Sequence, residues 1–156
     1  MKVIQHLWFT QDMEAAIRFY TALIPGSSMG EISTFPADTP SGPIGSVKVA
    51  SFTLGDQRYM ALEAAGPATF NHAFSITVEC EDQAGIDRLW EALKDGGAEE
   101  QCGWLRDRWG LSWQIVPRRL SELMSDPDPR KRQRVAEAML KMVKLDIAGL
   151  EAAAAG

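Results

Sequence analysis

One pattern constrains the fold of this chain more than any other: a strand, an acidic residue, an amphipathic helix and a glycine turn are written twice, 70 positions apart. The first copy runs from "VIQHLWF" through Asp12 to Met13, Ala16, Ile17 and Tyr20 and closes on Pro25-Gly26. The second runs from "FSITVEC" through Asp82 to Ile86, Leu89, Trp90 and Leu93 and closes on Gly96-Gly97. Apolar residues at i, i+3, i+4 and i+7 put one buried stripe on each helix, with Asp as the expected N-cap and Gly as the expected stop. Three candidate strands follow each helix. The pattern predicts them at Met29–Thr34, Val47–Leu54 and Gln57–Ala64, the last two joined by a hairpin at Gly55-Asp56, and again at Ala98–Gln101, Trp104–Arg106 and Leu111–Val116, with "DRWG" as the final turn. A loop of Pro, Thr, Ser and Gly residues separates Phe35 from Gly45. Two βαβββ modules follow from this reading, and with them an α+β fold.

The tail differs in character. Asp128 is an expected N-cap with Pro129 in the first helical position, and Val135, Met139, Met142 and Val143 recur at helical spacing. The spacing predicts one helix near 129–143 and a second near 145–155. Their apolar stripes, methionines included, are expected to dock on the body or on a second subunit. The chain thus divides into a module at 1–68, a module at 69–117 and a helical extension at 118–156.

Composition narrows the function classes. With 156 residues, 46% apolar and 24% charged, the chain can bury a core of ordinary size. A net charge of −5 offers no basic surface for nucleic acid, and the run Arg130 to Arg134 is local. No apolar run approaches the ~20 residues that span a bilayer. Cys80 and Cys102 have no second cysteine pair and no nearby His to form a zinc knuckle, so two reduced thiols are expected. No secretory signal pattern opens the sequence, and a cytoplasmic protein is the expectation.

Alternation along each strand picks out candidate site residues. Ile4, His6 and Trp8 share one face of the first strand; Ala61 and Glu63 share one of the fourth; Ser75 and Thr77 one of the fifth; Ser112, Gln114 and Val116 one of the last. His6 is a metal ligand, a base or a satisfied core residue on this reading. Trp8 and Trp104 are the pocket candidates, Trp113 is expected on the helix-covered side, and Trp90 in the core. Arg106, Asp107 and Arg108 read as an exposed charge cluster, with an anion-recognition loop as the other option. His72, in the linker between modules, is expected on an exposed loop, with the pocket mouth as its other possible place. No GxSxG surrounds a serine nucleophile.

The stretches "HLWF", "EAAIRFYTALIPGS", "YMALEAAG", "FSITVECEDQAGIDRLWEALKDGG", "CGWLRDRWGLSWQIVP" and "MVKLDIAGLEAA" together resemble the vicinal oxygen chelate superfamily of glyoxalases, extradiol dioxygenases and bleomycin-resistance proteins, and its PhnB-like branch in particular. The resemblance implies a pair of half-barrel modules, a small-molecule ligand and a homodimer. It also implies metal ligands on the first and last strands of the modules. Carried over residue by residue, these positions hold His6, Ala61 or Glu63, Ser75 and Gln114, of which only His6 and Glu63 are strong ligands and Gln114 is a weaker oxygen donor. The site is thinned relative to the superfamily. Two functions compete. One is a metal-dependent lyase, isomerase or dioxygenase, holding Zn, Ni, Mn or Fe on His6, Glu63 and Gln114, with Glu63 also as base. The other is a metal-free protein binding a small planar ligand among His6, Trp8, Ser75, Trp104 and Gln114. Some members of this branch carry a demethylubiquinone 3-methyltransferase label, yet no Gly-rich strand-to-helix loop of the nucleotide-cradling kind is present.

Overall fold

The computed structural model describes residues 1–156. The chain forms two compact units, Met1–Thr69 and Phe70–Gly156. In unit 1, β1 (Gln5–Phe9) leads to α1 (Met13–Leu23) and then to β2 (Ser28–Thr34), β3 (Lys48–Leu54) and β4 (Gln57–Glu63). Unit 2 repeats the order with β5 (Ser75–Cys80), α2 (Gln83–Lys94), β6 (Ala98–Glu99), β7 (Trp104–Arg106) and β8 (Ser112–Pro117). Each sheet has four strands, ordered β1-β4-β3-β2 and β5-β8-β7-β6, and in each the first strand pairs in parallel with the last. The α+β class and the duplicated module are as the sequence repeat requires. Gly26 and Gly96, equivalent in the repeat, share the left-handed conformation, at φ 75° and 74°. A residue with a Cβ resists that turn.

Each helix covers one face of its sheet. In α1 the stripe Met13, Ala16, Ile17 and Tyr20 is buried, and the sheet supplies Leu7, Phe9, Ala50, Phe52, Leu54, Tyr59 and Ala61 to the same core. In α2 the stripe is Ile86, Leu89, Trp90 and Leu93, with Ile76, Leu105, Trp113 and Ile115 beneath. Full burial of a large apolar side chain contributes roughly 1.5–3 kcal/mol, so each stripe outweighs local helix propensity. Asp82 caps α2 as expected, accepting from the Gly85 amide at 2.8 Å. Asp12 does not cap α1. It sits in the left-handed region at φ 60°, which Asp tolerates better than most residues, and its side chain makes no cap bond.

The tail belongs to unit 2 and holds three helices, one more than the spacing predicts: α3 (Arg118–Met124), α4 (Pro129–Met139) and α5 (Ile147–Ala155). Leu123, Val135, Leu150 and Ala154 form their core, with Leu120, Met139 and Met142 packed against it. The fourth helix stops at Met139 rather than near 143, and the carbonyls of Met142 and Val143 accept instead from the Cys102 and Gly103 amides, both at 2.8 Å. Gln83 ties the tail to α2: its amide donates to the Leu145 carbonyl and accepts from the Ile147 amide. Both cysteines are free, and no helix is long and apolar enough to cross a membrane.

Candidate functional site

In unit 1, the parallel register sets His6 opposite Met60 and Trp8 opposite Leu62, so these four side chains share the face turned away from α1. Leu7, Phe9 and Ala61 take the helix side and are buried. Trp8 is 39% exposed; its indole N–H donates to the Ala64 carbonyl at 3.0 Å, and Gly66 lies close enough that a Cβ there would come within 2.8 Å of the ring. The ring is therefore fixed while one part of it stays open.

Glu63 is not on that face. It pairs with Phe9, in phase with the buried residues, and its carboxylate accepts from the Met13 amide at 2.8 Å and from Lys48 Nζ at 2.7 Å. The expected co-facial pairing of His6 with Glu63 is corrected by this register. Glu63 serves as the N-terminal cap that Asp12 does not supply to α1, with a negative charge at the positive end of the helix. Burial pushes its carboxyl up, but the Lys48 ammonium and the Met13 amide outweigh burial and hold it below the usual glutamate value. A carboxyl lowered on folding stabilises above its unfolded pKa, and that stability is lost as pH falls through the folded value. Glu63→Gln is thus expected to cost about 1–2 kcal/mol at neutral pH and to flatten the acid limb of stability against pH, measured by urea unfolding across an acid series. An acid limb as steep in the variant as in the wild type would contradict this role.

In unit 2, two rows of side chains cross the face turned away from α2. One row is Thr77, Gln114 and Trp104; the next is Ser75, Ser112 and Arg106. The Gln114 amide donates to Ser75 Oγ at 2.9 Å, a diagonal link between the rows. Ser75, Trp104 and Gln114 are thus brought together. Ser112 lies between Ser75 and Arg106, is fully buried, and its hydroxyl has no hydrogen-bond partner. At the edge of the face, the Glu100 amide donates to the Trp104 carbonyl at 2.9 Å, and the Glu100 carboxylate joins Arg106 Nε at 3.1 Å and His72 Nε2 at 2.7 Å. The His72 and Trp104 ring centroids are 6.3 Å apart. Sequence reading missed Glu100 because Glu99-Glu100 resembles a solvated pair. The signal lay in alternation: Glu99 turns to the helix side, where it accepts from the Trp90 indole at 2.8 Å, and so Glu100 must turn the other way.

The expected charge cluster at Arg106, Asp107 and Arg108 is also corrected. Asp107 is 4% exposed and accepts from the Trp109 and Leu111 amides and from the Trp113 indole. Arg106 is drawn to Glu100 and Arg108 to Asp95, so the three residues have three separate tasks. Trp90 and Trp113 are buried on the helix side, as expected.

A catalytic zinc ion generally takes three protein ligands and one open position. No group of three or more His, Cys, Asp or Glu side chains gathers in this structure. Glu63 is engaged beneath its sheet, and Gln114 offers only a single neutral oxygen, its NH2 group donating to Ser75, so the donors within each unit do not fit such a centre.

Comparison with known proteins gives one family model, described as 3-demethylubiquinone-9 3-methyltransferase, which matches residues 1–116. The PhnB protein from Bacillus cereus is 32% identical, with a TM-score of 0.66 over 75% of this chain and 99% of that one. A Pseudomonas aeruginosa protein, PA1353, is 20% identical, with a TM-score of 0.58 over 75% and 97% of the two chains. The fosfomycin resistance protein FosX from Listeria monocytogenes, solved with Mn(II) and sulfate, is 13% identical, with a TM-score of 0.52 over 74% and 89%. The last two likenesses concern the fold alone. No curated protein matches the sequence.

Proposed function

This chain belongs to the family described as 3-demethylubiquinone-9 3-methyltransferase, the PhnB-like branch of the vicinal oxygen chelate superfamily, and from that premise we propose that it binds a small planar molecule on the open face of unit 2. The observation that carries this reading is the half-buried Trp104 indole standing in register with Gln114, whose amide Ser75 orients. An indole gives a flat apolar surface, and an oriented amide beside it fixes the direction of a polar substituent. His6 and Trp8 enter the same proposal as the imidazole and indole on the corresponding face of unit 1. The loops from β1 into α1 and from β5 into α2, Thr10-Gln11-Asp12 and Glu81-Asp82, contain no glycine, and methyl transfer from a nucleotide-like donor is not part of the proposal. The free thiols favour the cytoplasm, and the assembly proposed is a homodimer.

Titration with catechol and 4-nitrocatechol, followed by tryptophan fluorescence, tests the reading. Saturable quenching is expected in the wild type, with affinity weakened about tenfold in Trp104→Ala, equivalent to about 1.4 kcal/mol. Equal affinity in the variant would remove Trp104 from the site. Elemental analysis after dialysis against Zn, Ni, Mn or Fe separates the metal-dependent alternative: one equivalent bound by the wild type and lost in His6→Ala would establish it, and no stoichiometric metal is expected.

A further inference from the structure

We infer that residues 142–147, between α4 and α5, are a latch on the Trp104 face: they hold the β6–β7 turn in the conformation that presents the indole, Gln83 is the catch, and a molecule bound on Trp104 is coupled to closure of the latch. The coupling rests on the binding reading above; the latch and its catch do not. Trp104 ends a tight turn that begins at Gln101, closed by the Trp104 amide donating to the Gln101 carbonyl at 3.2 Å. Both central residues are left-handed, Cys102 at φ 61° and Gly103 at φ 82°. Such turns favour Asn, Asp or Gly at the first central position, and a cysteine there resists the conformation. The flanking strands give little help, because β6 has two residues and β7 three, and a short hairpin is marginal alone. Support comes from the tail. The Cys102 and Gly103 amides, which the turn itself does not use, donate to the consecutive carbonyls of Met142 and Val143, both at 2.8 Å.

Leu145 closes over the same turn. It is fully buried, and a Cβ on Gly103 would stand 3.1 Å from its side chain and 2.8 Å from the Ile115 carbonyl oxygen. The Gly103 carbonyl accepts from the Ile115 amide at 2.8 Å, next to Gln114, so a shift of the turn moves Trp104 against the amide it pairs with. On its other side the segment is held by α2. Gln83, the first residue of that helix, donates to the Leu145 carbonyl at 3.1 Å and accepts from the Ile147 amide at 2.9 Å, and Lys144 Nζ reaches Asp87 at 2.7 Å. An ion pair as open to solvent as Lys144–Asp87 contributes little, which leaves the two Gln83 bonds as the catch. Residues 140–146 form no helix or strand. A few bonds rather than a continuous ladder thus keep the segment in place, and elements of this kind open locally, well below the energy of global unfolding. The extension also lies beyond the family match, which ends at residue 116, so the latch is an addition to the shared module. Closure and binding are linked reciprocally: a molecule that favours the ordered turn favours the closed latch by the same factor.

Amide hydrogen exchange, followed by NMR on the full chain, tests both parts. In Gln83→Ala the Cys102 and Gly103 amides are expected to exchange about tenfold faster, through the loss of two hydrogen bonds that neither residue makes itself. The Leu89 and Trp90 amides of α2 are expected to stay as slow as in the wild type and so report an intact fold. Gln83→Glu keeps the acceptor for Ile147 and loses the donor to Leu145, and is expected to fall between the two. Exchange no faster at Cys102 and Gly103 in Gln83→Ala would overturn the catch and the latch with it. Catechol at about ten times its Kd, judged by tryptophan quenching, is expected to slow the Cys102, Gly103 and Ile147 amides of the wild type by about tenfold, the factor for a molecule that binds only the closed form. Ile147 separates coupling from shielding by the probe, since its amide is bonded to Gln83 and not to the turn. Saturable quenching without slowing at Ile147 would overturn the coupling and leave the binding reading standing. Absence of quenching would overturn the binding reading and the coupling together, with the latch still decided by Gln83→Ala.

Discussion

Asp107→Ala is expected to destabilise the protein by about 3–5 kcal/mol, because it strips a buried charge-assisted acceptor from three donors at once. The Asp107 carboxylate takes the Trp109 amide at 2.9 Å, the Leu111 amide at 3.1 Å and the Trp113 indole at 2.8 Å. Leu111 and Trp113 are both 0% exposed, so water cannot replace the lost partner without opening the core. The turn that ends at Gly110 and delivers β8 depends on the same carboxylate. A domain of this size has about 5–15 kcal/mol of stability in total, so the loss takes a large share of it. A fall in melting temperature on the order of 10 °C is expected by calorimetry. Asp107→Asn discriminates the cause. The amide oxygen can still serve either the backbone amides or the indole, but its NH2 group then faces a donor, and an intermediate loss is expected. A change within about 0.5 kcal/mol in the alanine variant would mean that the carboxylate does not organise this turn.

Gly97→Ala is the second large effect, and the adjacent Gly96→Ala is its control. A Cβ on Gly97 would stand 2.0 Å from the Arg106 carbonyl oxygen, and backbone on a paired strand cannot swing aside as a side-chain tip does. Ala98 pairs with Arg106 at that point, so relief requires β6 and β7 to separate. A cost of about 3 kcal/mol or more is expected, with Trp104 and Glu100 displaced from their present geometry. Gly96 is limited for a different reason: its φ of 74° is left-handed, while its nearest contact is the Arg108 Cβ at 3.2 Å. Alanine there should cost roughly 1–2 kcal/mol. Chemical unfolding of both variants, with tryptophan fluorescence as the readout, gives the order. Equal costs would mean that the close approach to Arg106 relaxes cheaply.

Sequence alone determined the parts of this protein that depend on short-range periodicity. The helical stripes, the period-2 strands, the Gly55-Asp56 hairpin, the caps at Asp82 and Asp128, and the turns at Gly26 and Gly96 all depend on residues within a few positions of one another. Their repetition at a fixed spacing carried the βαβββ duplication and the family resemblance. Trp90 and Trp113 could be assigned to the helix side for the same reason, since alternation and helical spacing are local rules.

Tertiary structure alone decided how separate strands are phased and which distant groups meet. Alternation said that Ala61 and Glu63 share a face, yet only the register, His6 against Met60, said that this face is not the one His6 occupies. Because the phase between two strands is set by pairing across the sheet, Glu63 looked like a ligand and is the cap of a helix 50 positions away in sequence. Asp107 looked like a solvated charge because its burial depends on Trp113, and His72 is the exposed loop residue expected, but its pairing with Glu100 was not legible because that partner arrives from the far edge of the sheet. A polar side chain has several uses of similar local probability, and long-range packing decides among them by which desolvated donors it must satisfy.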